Sequence, residues 1–144
     1  MSNEVSPFAK SSSDSIKIEL PVATESIQAG FPAPNGGYID GKLDVNEFLI
    51  SSPHSTYIYK VSGESMIDAG IMPGDYVLVD SSIEPSNGDV VVALVDGEYT
   101  IKELVLSNPP KLVPRNCEYA PVQITENSLV TIIGPVISVV RKYH

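Results

Sequence analysis

The feature that most restricts the fold of this chain is the spacing of its turn signals. From Thr56 onward, Pro73-Gly74, Asn87-Gly88, Asp96-Gly97, Asn108-Pro109-Pro110 and Gly134-Pro135 cut the sequence into short segments. Between them lie Tyr76 to Val79, Val90 to Val95, Glu98 to Leu106, Leu112-Val113, Val130 to Ile133 and Val136 to Val140, all rich in Val, Ile and Tyr. Such segments suit strands, because β-branched and aromatic side chains pack well on a pleated surface. The expected fold is mainly β: a curled, mostly antiparallel domain with one or two short helices. One helix start is legible at Asp44-Val45-Asn46-Glu47, with Asp44 as N-cap and Glu47 at the reciprocal position. Val45, Phe48 and Leu49 give it an apolar side, and Pro53 is a stop signal.

Asp96-Gly97 between two apolar runs predicts a two-residue hairpin loop. That loop sets a register in which Val95 faces Glu98, Leu94 faces Tyr99 and Val91 lies opposite Lys102. Alternation along the strand then puts Lys102 on one face with Thr100, Leu104, Val91, Ala93 and Val95. On that face the nearest acidic side chain is Glu98, four residues away at the turn. A lysine so placed loses solvent without gaining a counter-ion, which lowers its pKa and makes it a candidate general base. The ordinary alternative is a lysine whose stem lies on the sheet while its head reaches water.

Thirty-seven residues before Lys102, Gly63-Glu64-Ser65-Met66 puts a hydroxyl in a glycine-led turn after the apolar run Thr56 to Val61. A serine there commonly caps a helix. The same position leaves backbone N–H groups pointing outward, and those of Ser65 and Met66 are candidate oxyanion donors. Serine needs a base to attack an amide, and a serine–lysine pair is a known variant of that arrangement. Upstream, Gln28-Ala29-Gly30-Phe31-Pro32 offers a peptide bond between small residues in a loop-like stretch.

Taken together, the Ser65 turn, the Lys102 strand and the Ala29-Gly30 bond resemble the self-cleaving S24 peptidase family, which includes the LexA-type repressors and the UmuD mutagenesis proteins. The likeness runs from Gly30 to Val140. It is densest at Gly63 to Gly74, Asp75 to Asp80, Gly88 to Val91 and Asp96 to Leu104. The resemblance implies Ser65 as nucleophile, Lys102 as general base and Ala29-Gly30 as the bond cut in the chain itself. It divides the chain into a flexible arm, residues 1–29, and a catalytic β domain, residues 30–144. Seven serines and few apolar residues in that arm agree with a segment unable to hold itself folded, apart from the alternation of Ile16, Ile18 and Leu20, which would suit docking on a sheet edge.

The arm is too short and too poor in basic residues for the helix-turn-helix module of the repressors, which favours the UmuD branch. Enterobacterial UmuD proteins cut after cysteine, whereas this chain offers alanine, as the repressors do. The UmuD likeness implies self-cleavage during the DNA-damage (SOS) response, stimulated by the RecA–single-stranded-DNA filament. It further implies a shortened homodimer that joins a UmuC-type Y-family polymerase in error-prone translesion DNA polymerase V. A non-catalytic dimeric β domain that binds a polymerase is the alternative, and it has no need of both Ser65 and Lys102.

Composition limits the remaining choices. A net charge of −9 opposes direct binding to nucleic acid, so a link to DNA should pass through a protein partner. The single cysteine, Cys117, with only His54 and His144 to join it, gives neither a disulfide framework nor a zinc pattern. Asp68, Asp75 and Asp80 lack a compact ligand spacing, so neither metal nor cofactor is expected. No segment approaches the apolar length of a membrane span, and a cytoplasmic protein is expected.

Overall fold

The computed structural model describes residues 4–12, 19–23 and 38–144. Eight strands form one sheet in the order β1 (Val5–Lys10), β4 (Thr56–Val61), β5 (Tyr76–Asp80), β10 (Val130–Val140), β6 (Val90–Val95), β7 (Glu98–Val105), β8 (Lys111–Val113) and β9 (Val122–Gln123). Every neighbouring pair in it is antiparallel. A separate antiparallel pair joins β2 (Glu19–Ala23) to β3 (Tyr38–Asp44). The mainly β, antiparallel fold expected from the turn spacing is the one observed.

The sheet curls until its first strand returns to its sixth: Glu4, just before β1, donates its backbone N–H to the Tyr99 carbonyl of β7 at 3.1 Å. Curling encloses one apolar cluster of Val5, Tyr59, Val61, Met66, Ile71, Val77, Val79, Val92 and Ile101. Val91, Ala93, Leu104 and Leu112 form a second cluster. Adjacent residues such as Val91 and Val92 enter different clusters because successive side chains leave opposite faces of a strand.

Several local readings recur as drawn from sequence. Asp96 and Gly97 both have positive φ, at 50° and 83°, as the two central residues of a type I′ turn require. The hairpin register pairs Val95 with Glu98, Leu94 with Tyr99 and Val91 with Lys102. Helix α1 (Val45–Leu49) starts with the Asp44 carboxylate accepting from the Glu47 N–H at 3.2 Å. It closes at Ile50, whose N–H bonds the Asn46 carbonyl at 2.9 Å, before Pro53 is reached.

The N-terminal segment departs from expectation. Ile16 and Ile18 lie outside the described residues, and Glu19–Ala23 pairs with β3 rather than with the main sheet. Val5–Lys10 takes the edge of β4 instead, with a shift in register between Pro7 and Ala9. Val5 is fully buried while residues 6–10 are exposed, so one buried anchor seats the strand, joined by backbone pairing, an edge-on contact of Phe8 with Tyr76 and Lys10 over the Tyr57 ring. A single anchor next to Pro7 gives no alternation for sequence to reveal.

Asp80, fully buried, has a structural task. Its carboxylate accepts from the Ser55 hydroxyl at 2.8 Å, the Ser51 hydroxyl at 3.2 Å, and the Ser82 hydroxyl and N–H at 2.6 and 2.9 Å. Burial acts to raise its pKa, but the donors from Ser82, Ser55 and Ser51 outweigh it and hold the carboxyl below its ordinary value. The resulting stability is present above the unfolded carboxyl pKa, about 3.9, and is lost as pH falls through the folded value. Asp80→Asn is therefore expected to cost on the order of 2 kcal/mol near neutral pH. Urea titrations at several pH values should show the gap from the parent closing below pH about 4. A gap of constant size down to the lowest pH would contradict an ionised hub.

Candidate active site

Strand β4 ends at Val61, and the chain turns through Ser62-Gly63-Glu64 to deliver Ser65 against β7. A 3-10 turn, Ile67–Ala69, follows. Instead of the longer helix that a serine cap suggests, the turn is held from outside. Asn116 Nδ2 donates to the Glu64 carbonyl at 2.9 Å, and the Asp68 N–H donates to the Arg115 carbonyl at 2.9 Å. Farther along the same loop, Asp75 accepts from Arg141 Nη2 at 2.7 Å and from the Met72 N–H at 2.8 Å. Arg141 also reaches the Gly70 carbonyl at 2.9 Å. Asn116 and Arg141 come from distant parts of the chain with no motif around them, so sequence carried no signal for either.

Ser65 and Lys102 meet. Their side-chain oxygen and nitrogen are 3.0 Å apart, and the residues are only 1 % and 5 % exposed. The Lys102 amine also donates to the Thr100 hydroxyl at 2.7 Å and to the Ile101 carbonyl at 3.2 Å. Thr100 stands two residues away on the same strand face, as the register implied. The Ser65 hydroxyl sends its own proton to the Ile101 carbonyl at 3.2 Å. The structure thus brings together two residues that the sequence singles out.

The counter-ion is a correction. Sequence register left no acidic group beside Lys102, yet the Glu4 carboxylate touches its amine, from 98 positions away in the chain. Glu4 also accepts from the Thr100 hydroxyl and from the Ile101 N–H at 3.3 Å. Burial acts to raise the Glu4 pKa, but the hydrogen bonds from Lys102 and Thr100, the lysine charge and the Ile101 N–H together pull it below the ordinary value. For Lys102, burial lowers the pKa and the bond and charge of Glu4 work against it, leaving it below the ordinary value. Four oxygens surround the amine, one more than the three protons an ammonium can donate, and the charged one among them makes the contact with Glu4 an ion pair of ammonium with carboxylate.

Ala29 and Gly30 lie outside the described residues. Cys117 is exposed. Tyr59 is buried in the core, where its ring lies 5.5 Å from that of Tyr99, and Tyr57 packs against the same cluster. Among the described residues no group of three His, Cys, Asp or Glu side chains is placed to hold a metal ion, and no helix is long and apolar enough to cross a membrane.

With this geometry in hand, comparison with known proteins is informative. Residues 21–137 match the Peptidase S24-like family. The chain is similar to Protein MucA of Escherichia coli, 39% identical over 118 residues that cover 81% of each protein. Protein ImpA of Escherichia coli is 44% identical over 94 residues, and the matched stretch spans 65% of the length of each. A LexA repressor of Anaeromyxobacter sp. is 30% identical over 148 residues, covering 97% of this chain and 64% of the repressor.

The two opposing influences on Lys102 make a measurable statement. Followed by its side-chain methylene resonances in the Ser65→Ala chain, Lys102 should titrate below its ordinary value of 10.5. A midpoint at or above 10.5 would show that the carboxylate, not burial, dominates.

Proposed function

We propose that this chain, a UmuD-type member of the Peptidase S24-like family to which it belongs, is a serine peptidase of the SOS response that cuts itself between Ala29 and Gly30. The observation that carries this reading is the 3.0 Å contact of two buried groups, the Ser65 hydroxyl and the Lys102 amine. The family match begins at residue 21 and so includes the proposed bond.

Lys102 must first give up a proton to become a base. Its free amine then takes the Ser65 proton as Ser65 Oγ bonds to the Ala29 carbonyl carbon. The carbonyl oxygen becomes an oxyanion, and the backbone N–H groups of Ser65 and Met66 are the proposed donors to it. Collapse breaks the Ala29-Gly30 bond, with the Lys102 ammonium returning the proton to the Gly30 amine. That leaves an ester between Ala29 and Ser65. Water, deprotonated by Lys102, hydrolyses the ester, freeing residues 1–29 and restoring the serine. Thr100, bonded to the amine, is a positioning residue in this scheme.

The proposed physiological setting follows from the UmuD likeness. The stimulus is a RecA–single-stranded-DNA filament acting as co-protease in the cytoplasm. The product, residues 30–144, is a homodimer that serves a UmuC-type polymerase in translesion synthesis as polymerase V. The strand pattern supports a dimer: Val136–Val140 pairs with β5 on one side, and among the described residues no strand pairs with its other side. An open edge of this kind is closed symmetrically when two copies pair. The charge of −9 supports contact with DNA through proteins only.

Ser65→Ala and Lys102→Ala should each nearly abolish loss of the full-length chain in single-turnover assays, and the double variant should be little worse than either. Retention of more than about a tenth of the parent rate by Lys102→Ala would rule out a general base there. The product should begin at Gly30 on N-terminal sequencing. Gly30→Glu should block cutting by bulk and by an unpaired charge brought into a buried site.

A further inference from the structure

The nucleophile is sealed in this structure, and the seal is part of the chain. Glu4 is gripped by its backbone from both sides. Its N–H donates to the Tyr99 carbonyl of β7 at 3.1 Å. Its carbonyl accepts from the Ser62 and Gly63 N–H groups at 2.8 and 3.0 Å, and from the Ser62 hydroxyl at 3.2 Å. An extended residue held by main-chain bonds on both flanks is the signature of a peptide added as a strand. The strands that hold it are the two that carry the Ser65 turn and Lys102.

The floor of this gap is shaped for close backbone approach. A Cβ built on Gly63 would lie 3.0 Å from Glu4 Cγ, 3.1 Å from its Cβ and 3.3 Å from its Cα. A side chain at position 63 would push the extended segment out, so glycine there serves the occupant as well as the turn. A cavity of about 520 Å³ continues from this point, lined by Glu4, Gly63, Tyr99, Thr100 and Lys102. Ser65 is not among its lining residues and is 1 % exposed.

We infer that the gap between the end of β4 and β7 is a cleft for an extended peptide, and that Glu4, carried at the head of the β1 strand, is its resident, competitive occupant. Resting on the self-cleavage reading, this identifies what must leave before Ser65 can reach Ala29. The occupant works in two ways. Its backbone fills the lane in which a scissile segment would lie between the strands, and its carboxylate holds the Lys102 amine in the protonated form that cannot act as a base. Release would uncover a single buried side chain of Val5–Lys10, that of Val5, besides the backbone pairing and the surface contacts of Phe8 with Tyr76 and Lys10 with Tyr57. In the proposed cleavage Glu4 belongs to the fragment set free, so cutting also unties the occupant from the catalytic domain.

Full-length chains carrying Glu4→Gln or Glu4→Ala test this in two readouts. Self-cleavage should accelerate about tenfold or more over the parent, the gain expected when a base is freed from a buried counter-ion at a cost near 1.4 kcal/mol per tenfold. In the Ser65→Ala background, where nothing is cut, a fluorescent synthetic peptide of residues 24–36 should bind at least tenfold more tightly once Glu4 is replaced. Thermal melting of each variant verifies that it is folded, and Glu4→Gln keeps the shape if Glu4→Ala does not. Unchanged peptide affinity with unchanged cleavage overturns the proposal, as does slower cleavage, which would make Glu4 a helper of the dyad. Should no chain cut itself while the peptide still binds more tightly to the Glu4 variants, the cleft stands and the self-cleavage reading falls.

Discussion

The structure depends on the burial of one amine. An ammonium taken from water into a protein interior is tolerated only with several acceptors around it, or after loss of its proton. Lys102 is given four kinds of acceptor: a hydroxyl from its own strand, a backbone carbonyl, the Ser65 hydroxyl and the Glu4 carboxylate. Three of them come from β7 and the Ser65 turn and remain when the N-terminal segment departs. The fourth alone carries charge. Removing it would leave the other three acceptors in place and take away the influence that works against burial, so the proton would be held less firmly.

That dependence explains why the surrounding fold is braced so heavily on a loop. Ser65 follows a strand and precedes a single 3-10 turn, a segment with little stability of its own. Its position is set by Asn116 on Glu64, Arg115 on Asp68 and Arg141 on Asp75 and Gly70. Each brace arrives from the chain beyond β7, so the position of Ser65 depends on contacts made by the later part of the chain.

How much of this could be read from the residues follows from the range of the interactions. The Asp96-Gly97 turn is a local signal, and a two-residue loop fixes every pairing on both flanking strands, so the placement of Lys102 opposite Val91 was legible. The meeting of Ser65 with Lys102 is not local, and it became readable through the likeness of the two motifs to a family. Glu4 was not legible at all. It precedes a strand with one buried residue, lies in a serine-rich stretch, and finds its partner across 98 positions. Periodicity pointed to Ile16, Ile18 and Leu20, because alternation is the only edge-docking signal that sequence displays, whereas backbone pairing on β4 needs none. Asp75 and Asp80 were assigned no chemistry from their spacing, and the structure gives both to hydrogen-bonded braces.

A buried lysine has a consequence for rate as well as for place. In the proposed scheme a base that is protonated at rest and covered by an occupant acts only when two events coincide: the occupant leaves and the proton leaves. Both raise the barrier, and under the proposed self-cleavage neither is recovered by repeated turnover, because the scissile segment would belong to the same chain and be cut once. An enzyme acting on many substrates would be penalised by such a resting state. A chain whose single cut is a signal benefits, since slow spontaneous cutting leaves the decision to whatever shifts the resting equilibrium. An external protein could do this without touching the dyad, by favouring the form in which β1 has left β4. Its effect would be bounded by its difference in affinity for the two forms. In that scheme the same segment would both hold the charge on Lys102 and be the point at which control is applied.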